Sequence, residues 1–147
     1  MVSKVKGEKI GIAALLGMAA FLFWLGYAKP PGLKVPYFIA YLCSFTLGMS
    51  ALALATRISG RTAANHLFAA LTLLGFAAAG GWIALSPVGA QQCKVGFGRS
   101  HLDAARHTVD ASPTACRIVF GSGAVVTLLL AAWALALWWQ MRRAARQ

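Results

Sequence analysis

The stretch IVFGSGAVVTLLLAAWALALWW, Ile118–Trp139, contains 22 consecutive residues without an acidic, basic or histidine side chain. A helix needs about 20 apolar residues to cross the roughly 30 Å hydrocarbon core of a bilayer. The strands of a membrane β-barrel alternate apolar and polar residues, and this stretch does not alternate. It therefore predicts a transmembrane helix.

Three more runs of the same kind lie upstream, at Ile10–Tyr27, Tyr37–Thr56 and Leu67–Leu85. The first follows a basic start, like a signal peptide, but it is longer than the apolar region of a signal peptide and is expected to remain as an uncleaved span. The sequence thus predicts an all-α integral membrane protein with four transmembrane helices in a bundle. Residues 1–147 are expected to form a single four-span domain.

The overall composition supports a membrane location. Hydrophobic residues make up 59% of the 147 residues, charged residues 12%, and the mean hydropathy is +0.68. Soluble domains have about a quarter of their residues charged, so this composition excludes an ordinary soluble domain. The net charge of +11 comes from basic residues placed between apolar runs, and nucleic acid is therefore not an expected partner. The expected partners are the lipid bilayer, together with other membrane subunits or further copies of this chain.

The basic residues also predict an orientation. Four spans place both termini on the same side as the loop after the second span, and that side holds eight Lys and Arg residues against six on the other. Dense clusters at both ends strengthen this small majority, which predicts cytoplasmic termini. Spans rich in Ala, Gly and Leu, together with short tails, favour a bacterial inner membrane.

The loop at about 86–117 is the longest segment between spans, and it is predicted to be exoplasmic. Cys93 and Cys116 bracket it, whereas Cys43 lies inside the second span. An exoplasmic pair is expected to form a disulfide, which would contribute about 3 kcal/mol through loop closure. A structural bridge is favoured over a redox-active pair. The periplasmic disulfide-generating quinone reductases have a similar layout, but they need a second cysteine pair that the first outer loop, Ala28–Pro36, lacks.

Other polar residues of this loop have a structural interpretation. His101, Asp103, His107 and Asp110 do not combine with the cysteines into a compact zinc-binding spacing, so no metal site is predicted. Ser100-His101-Leu102-Asp103 resembles a capping box, and apolar residues recur after it at helical spacing. The pattern predicts a short surface helix from about His101 to Val109, lying on the membrane.

The spans contain no acidic, basic or histidine side chain, although ion-coupled transporters usually place such groups within the membrane. They also contain no histidine pair for haem, and the chain shows no catalytic triad or phosphate-binding loop. We therefore predict no catalytic residue and no cofactor, and we favour a non-catalytic protein over an enzyme.

Small residues four positions apart allow helix backbones to approach closely, and every span contains such residues. The candidate packing positions are Ala13 and Gly17; Ser44 and Gly48; Gly75 and Ala79; and Gly123, Thr127 and Ala131. The series on the fourth span is the favoured seam, either within the bundle or against another subunit.

These observations favour a non-catalytic four-helix subunit, an assembly or scaffold partner within a larger inner-membrane complex. The alternative is a small oligomeric transporter or channel with a passive or lipid-handling path. Hydroxyl groups of the spans would line such a path, namely those of Ser44, Thr46, Ser50, Thr72, Ser122 and Thr127.

Overall fold

Four long helices make up most of the chain. The computed structural model describes residues 2–29, 36–86, 94–96, 108–110 and 112–146. The helices, in chain order, are α1 (Val2–Ala28), α2 (Tyr37–Ile58), α3 (Thr62–Leu85) and α4 (Pro113–Ala144). Each is long and apolar enough to cross a bilayer. The predicted all-α class with four spans is confirmed, and the chain is a multi-pass membrane protein.

The helices extend beyond the apolar runs, most of all in α4. This helix begins at Pro113 and ends at Ala144, five residues outside the predicted span at each end. At its start, the backbone N–H of Ala115 donates to the hydroxyl oxygen of Ser112 at 3.1 Å. Ser112 is thus the N-cap, and Pro113 occupies the first helical position, where its missing N–H costs nothing.

Two short strands lie between α3 and α4. Lys94–Gly96 (β1) pairs antiparallel with Thr108–Asp110 (β2), and Val95 is opposite Val109. This corrects the predicted surface helix, because Thr108 and Val109 belong to a strand. The rest of that predicted helix, from residue 101 to 107, lies outside the described residues. Both residues are suited to a strand, and pairing with β1 satisfies backbone groups that a short isolated helix would leave to solvent.

The contacts divide the chain into two compact units, one of residues 1–76 with 127–147 and one of residues 77–126. In the first unit, α1 packs closely against α2. The hydroxyl of Ser44 donates to the carbonyl oxygen of Ala19 at 2.7 Å. Farther along α1, the ring of Phe23 meets that of Tyr41 edge-on, with centroids 5.4 Å apart. A Cβ added at Gly26 would lie 3.0 Å from the same tyrosine ring, so glycine is needed for this approach.

Small residues are buried and large ones are exposed. Among the described residues, no large side chain is fully buried, and the buried positions are Ala19, Gly26, Thr46, Ala51, Ala70, Gly75, Ala77, Cys116, Ala124, Ala131 and Ala134. Many large apolar side chains point outward instead, including Phe21, Leu129 and Trp133. A soluble protein would bury these side chains, whereas lipid solvates them as well as a protein interior does. The distribution fits helices that pack through small residues and face hydrocarbon.

Candidate helix-packing site

Gly75 of α3 lies directly against Thr46 of α2 in the first unit. A Cβ added at this position would contact the Oγ1 atom of Thr46 and lie 3.1 Å from its Cβ. Thr46 is only 4% exposed, and its hydroxyl donates to the carbonyl of Leu42 at 2.8 Å, which holds the side chain in place. Any side chain at Gly75 would therefore meet a neighbour that cannot easily move away. Ala79, its predicted companion, is half-buried.

The two predicted packing residues of α2 have different environments. Ser44 reaches across to Ala19 of α1 and forms a hydrogen bond between helices. A Cβ added at Gly48 would meet nothing within 4 Å. Of this pair, Ser44 alone has a demonstrated interhelical contact.

The predicted pair on α1 faces outward. Ala13 and Gly17 are both exposed, and the space around an added Cβ at Gly17 is open. The buried small residue of this helix is Ala19, beside Ser44. The packing role of Ala13 and Gly17 therefore stays a prediction, and the observed contact of α1 with α2 involves Ala19.

The series on α4 is not a continuous buried seam either. Gly123 is exposed and an added Cβ there would meet nothing within 4 Å, Thr127 is half-buried, and Ala131 is fully buried. The face of a helix turns by about 100° per residue, so a four-residue repeat drifts gradually around it. The first member of this series therefore does not share the burial of the last.

A different small-residue approach lies in the second unit. A Cβ added at Gly80 would be 3.2 Å from the carbonyl oxygen of Phe120 and 3.5 Å from the Cβ of Ala124. A Cβ at Gly121 would be 3.5 Å from the Cβ of Ala84. Sequence reasoning missed this contact, although Gly80 and Ala84 are four residues apart. The spacing rule could have included them, but it had no means of ranking them above Gly75 and Ala79.

Five of the six hydroxyl groups predicted to line a path donate hydrogen bonds to backbone carbonyl oxygens. The acceptors are Ala19 for Ser44, Leu42 for Thr46, Thr46 for Ser50, Phe68 for Thr72 and Val119 for Ser122. Ser50 and Thr72 also lie 3.5 Å apart across α2 and α3. Their hydroxyl protons are therefore used in hydrogen bonds within the protein. These bonds either link two helices or stiffen a single helix.

The loop cysteines are described only in part. Cys116 is 5% exposed in the first turn of α4, and the free thiol among the described residues is that of half-buried Cys43. Cys93, His101, Asp103 and His107 lie outside the described residues, and for Asp110 only the backbone position in β2 is described. The predicted bridge between Cys93 and Cys116 stays a prediction.

The end of α4 carries a cluster of aromatic and basic side chains. The guanidinium carbon of Arg142 lies 5.0 Å from the ring centroid of Trp138, and that of Arg143 lies 5.2 Å from the ring centroid of Trp139. Both distances are within the range of a cation–π interaction. Beside them is an open cavity of about 100 Å³, lined by Trp139, Arg142, Arg143 and Arg146.

Comparison with known proteins adds no functional information. No protein-family model matches this sequence, and no curated protein or solved structure matches it. Inference about function therefore starts from the packing contacts and the basic cluster described above.

Proposed function

We propose that this protein is a non-catalytic membrane subunit that helps to assemble or hold a larger membrane protein complex. The observation that carries this proposal is the engagement of the span hydroxyls of Ser44, Thr46, Ser50, Thr72 and Ser122 with backbone carbonyls. A path for polar solutes needs polar groups directed at the solute. Here these groups bind the helices themselves, which favours a structural role over transport.

The charge distribution supports the same proposal. The four predicted spans contain no Asp, Glu, Lys, Arg or His, the side chains that usually relay protons or pair with ions within a membrane. Small residues take up the interior, which lets the helices pack closely without polar groups. A scaffold needs close packing and a surface for a partner, and it needs no chemistry in the membrane.

The outward face of α1 offers such a surface. Ala13 and Gly17 are exposed one helical turn apart, and no other part of the described residues lies within 4 Å of an added Cβ at Gly17. Backbone exposed by small residues allows another transmembrane helix to approach closely. We propose that a helix of the partner complex packs at this position.

The proposal is tested by purifying the protein in mild detergent at native expression and identifying bound proteins by mass spectrometry. Gly17→Leu adds a branched side chain to the exposed face and should lower the amount of co-purified partner roughly tenfold, if the contact contributes about 1–2 kcal/mol. Ala14→Leu is the matched control, since this exposed residue is about 4.5 Å from Gly17 along the helix and points about 60° away from Gly17 and about 100° away from Ala13. It should retain the partner.

The outcomes separate the two functional classes. Stoichiometric recovery of a larger membrane assembly supports the subunit. A clean homo-oligomer without other proteins, together with solute flux after reconstitution, would contradict it and favour the transporter. If Gly17→Leu and Ala14→Leu recovered equal amounts of partner, the face that contains Ala13 and Gly17 would not be the contact surface.

We also propose a bacterial inner membrane location, with both termini in the cytoplasm, and a disulfide between Cys93 and Cys116. The register of the strands supports the bridge, because it places Lys94, which follows Cys93, opposite Asp110, six residues before Cys116. The residue after Cys93 and the residue six positions before Cys116 are therefore strand partners. Burial of Cys116 and the free thiol at Cys43 agree with this pairing.

Two measurements test these statements. The intact mass of the unreduced protein should be two hydrogens lower than after reduction, and three alkylatable thiols in unreduced, denatured protein would rule out the bridge. An alkaline phosphatase fusion at position 147, which is active only after export, should be inactive. Activity of this fusion would place the C-terminus outside.

A further inference from the structure

The last turn of α4 and the turn that follows it present three arginines to one cavity. The three arginines, Arg142, Arg143 and Arg146, follow Trp139 by three, four and seven residues, a spacing that brings all four side chains to the same side. Together they line the cavity of about 100 Å³. Arg142 and Arg143 each lie over a tryptophan ring. These ring contacts restrict the guanidinium groups before any ligand binds.

The chain supplies little negative charge to balance this cluster. The whole sequence has three acidic residues, Glu8, Asp103 and Asp110, and α4 contains none of them. No ion pair joins the three arginines to a carboxylate in the part of the chain that the structure describes. The partial negative charge at the end of a helix amounts to about half an elementary charge, so most of the positive charge of the arginines remains.

We propose that this cluster is a phosphate-binding site that takes the headgroup of an anionic phospholipid. Guanidinium groups match the oxygen atoms of a phosphate in paired hydrogen bonds, and three of them surround one cavity here. A water molecule occupies about 30 Å³ in the liquid, so about 100 Å³ accommodates a phosphate group or a few waters. The chemistry of the cavity selects an anion with several oxygen atoms.

The position of the cluster favours a lipid over a soluble phosphate. It directly follows the apolar run that ends at Trp139, and this tryptophan is 52% exposed. Tryptophan is enriched at the level of lipid headgroups, where lipid phosphates also lie. Trp139 therefore contacts the glycerol and upper acyl region while the arginines hold the phosphate.

The test uses the full-length protein in a neutral detergent, titrated with phosphatidylglycerol, phosphatidylcholine or sodium phosphate and followed by native mass spectrometry. Phosphatidylglycerol should bind most tightly, because its headgroup has a net negative charge. Arg142→Gln with Arg143→Gln should weaken its binding about 25-fold, as the hydrogen bonds of each guanidinium group to the phosphate contribute about fivefold. The matched control is Arg57→Gln with Arg61→Gln, two exposed arginines that do not line this cavity, which should change binding less than about twofold.

A charge-conserving variant separates a specific site from general attraction. Arg142→Lys with Arg143→Lys keeps the charge but loses the paired hydrogen bonds, and it should still weaken binding several-fold. The proposed site would be overturned if this lysine variant bound phosphatidylglycerol as tightly as the wild type. It would also be overturned if the two double glutamine variants lost the same amount of lipid affinity. Sodium phosphate that binds as tightly as the lipid would overturn the lipid assignment. Unchanged gel-filtration profiles and melting temperatures establish that all variants are folded.

Discussion

Gly75 and Gly123 belong to the same class of sequence signal, yet their surroundings differ. Gly75 is buried against Thr46, so that even a methyl group would collide, whereas Gly123 is exposed with open space around an added Cβ. Both lie in long apolar helices and both begin a small-residue series. The comparison teaches that small-residue spacing shows where a helix can be approached, and that the neighbouring helix decides which approach is used.

The largest expected effect is at Gly75. Gly75→Ala should lower the free energy of unfolding by about 1–3 kcal/mol, because the new methyl group overlaps Thr46. Stability is measured by chemical or thermal unfolding in detergent. Thr46→Ala in the same chain removes the nearest atom and should recover part of the loss. Full stability in Gly75→Ala alone would contradict the close approach.

A neighbouring pair tests the same comparison in the second unit. Gly80→Ala should cost roughly 1 kcal/mol, because its Cβ would lie 3.2 Å from the Phe120 carbonyl oxygen, a backbone atom that cannot rotate away. Gly81→Ala is the adjacent control, with no atom within 4 Å, and should be neutral or slightly stabilising since alanine favours helices. Equal unfolding midpoints for the two variants would argue against a contact at Gly80.

A smaller effect is expected at Ser44. Ser44→Ala removes the hydrogen bond to Ala19 of α1 and should cost about 0.6 kcal/mol, the average for interhelical bonds in a membrane protein. Ser122→Ala removes a bond to Val119 within the same helix, and it should have less effect on unfolding. A larger loss of unfolding free energy for Ser122→Ala than for Ser44→Ala would contradict the greater importance of the interhelical bond.

The smallest effect on the isolated chain is expected at Gly123. The sequence favours this residue as the seam of α4, yet the open space around it leaves room for a larger side chain. Gly123→Leu should therefore change the unfolding free energy by less than about 0.5 kcal/mol. Unchanged stability combined with loss of a co-purified partner would place Gly123 at a contact with another subunit. A large loss of stability in Gly123→Leu would contradict the open surroundings of Gly123, and its contrast with Gly75 would no longer hold.

Helix positions were largely predictable because they depend on local composition. The 22-residue run Ile118–Trp139 could be recognised as a span without knowledge of any neighbour, since its apolar side chains need hydrocarbon around them. The ends were less predictable. Hydropathy marks only the part of α4 in hydrocarbon, while Ser112 and Pro113 begin the helix outside it through capping geometry.

The segment between α3 and α4 illustrates the opposite case. Ser100-His101-Leu102-Asp103 carries a local helix-starting pattern, but Thr108–Asp110 pairs as a strand with Lys94–Gly96, more than ten residues away. The preference of a short isolated segment for helix is weak, and pairing with a distant strand overrides it. The partner strand lies too far along the chain for a local sequence pattern around Thr108–Asp110 to include it.

The sequence by itself determined that this protein lies in a membrane and how many helices cross it. The free energy of transferring a run of apolar side chains from water to lipid depends on the composition of that run and not on its neighbours. Tertiary structure decided which small residues pack. Within the chain, Gly75 and Ser44 make close contacts, while Gly17 and Gly123 face open space. The physical reason is that lipid solvates all apolar faces about equally, so burial preference does not distinguish them, and the fit between particular helices selects the face that is buried.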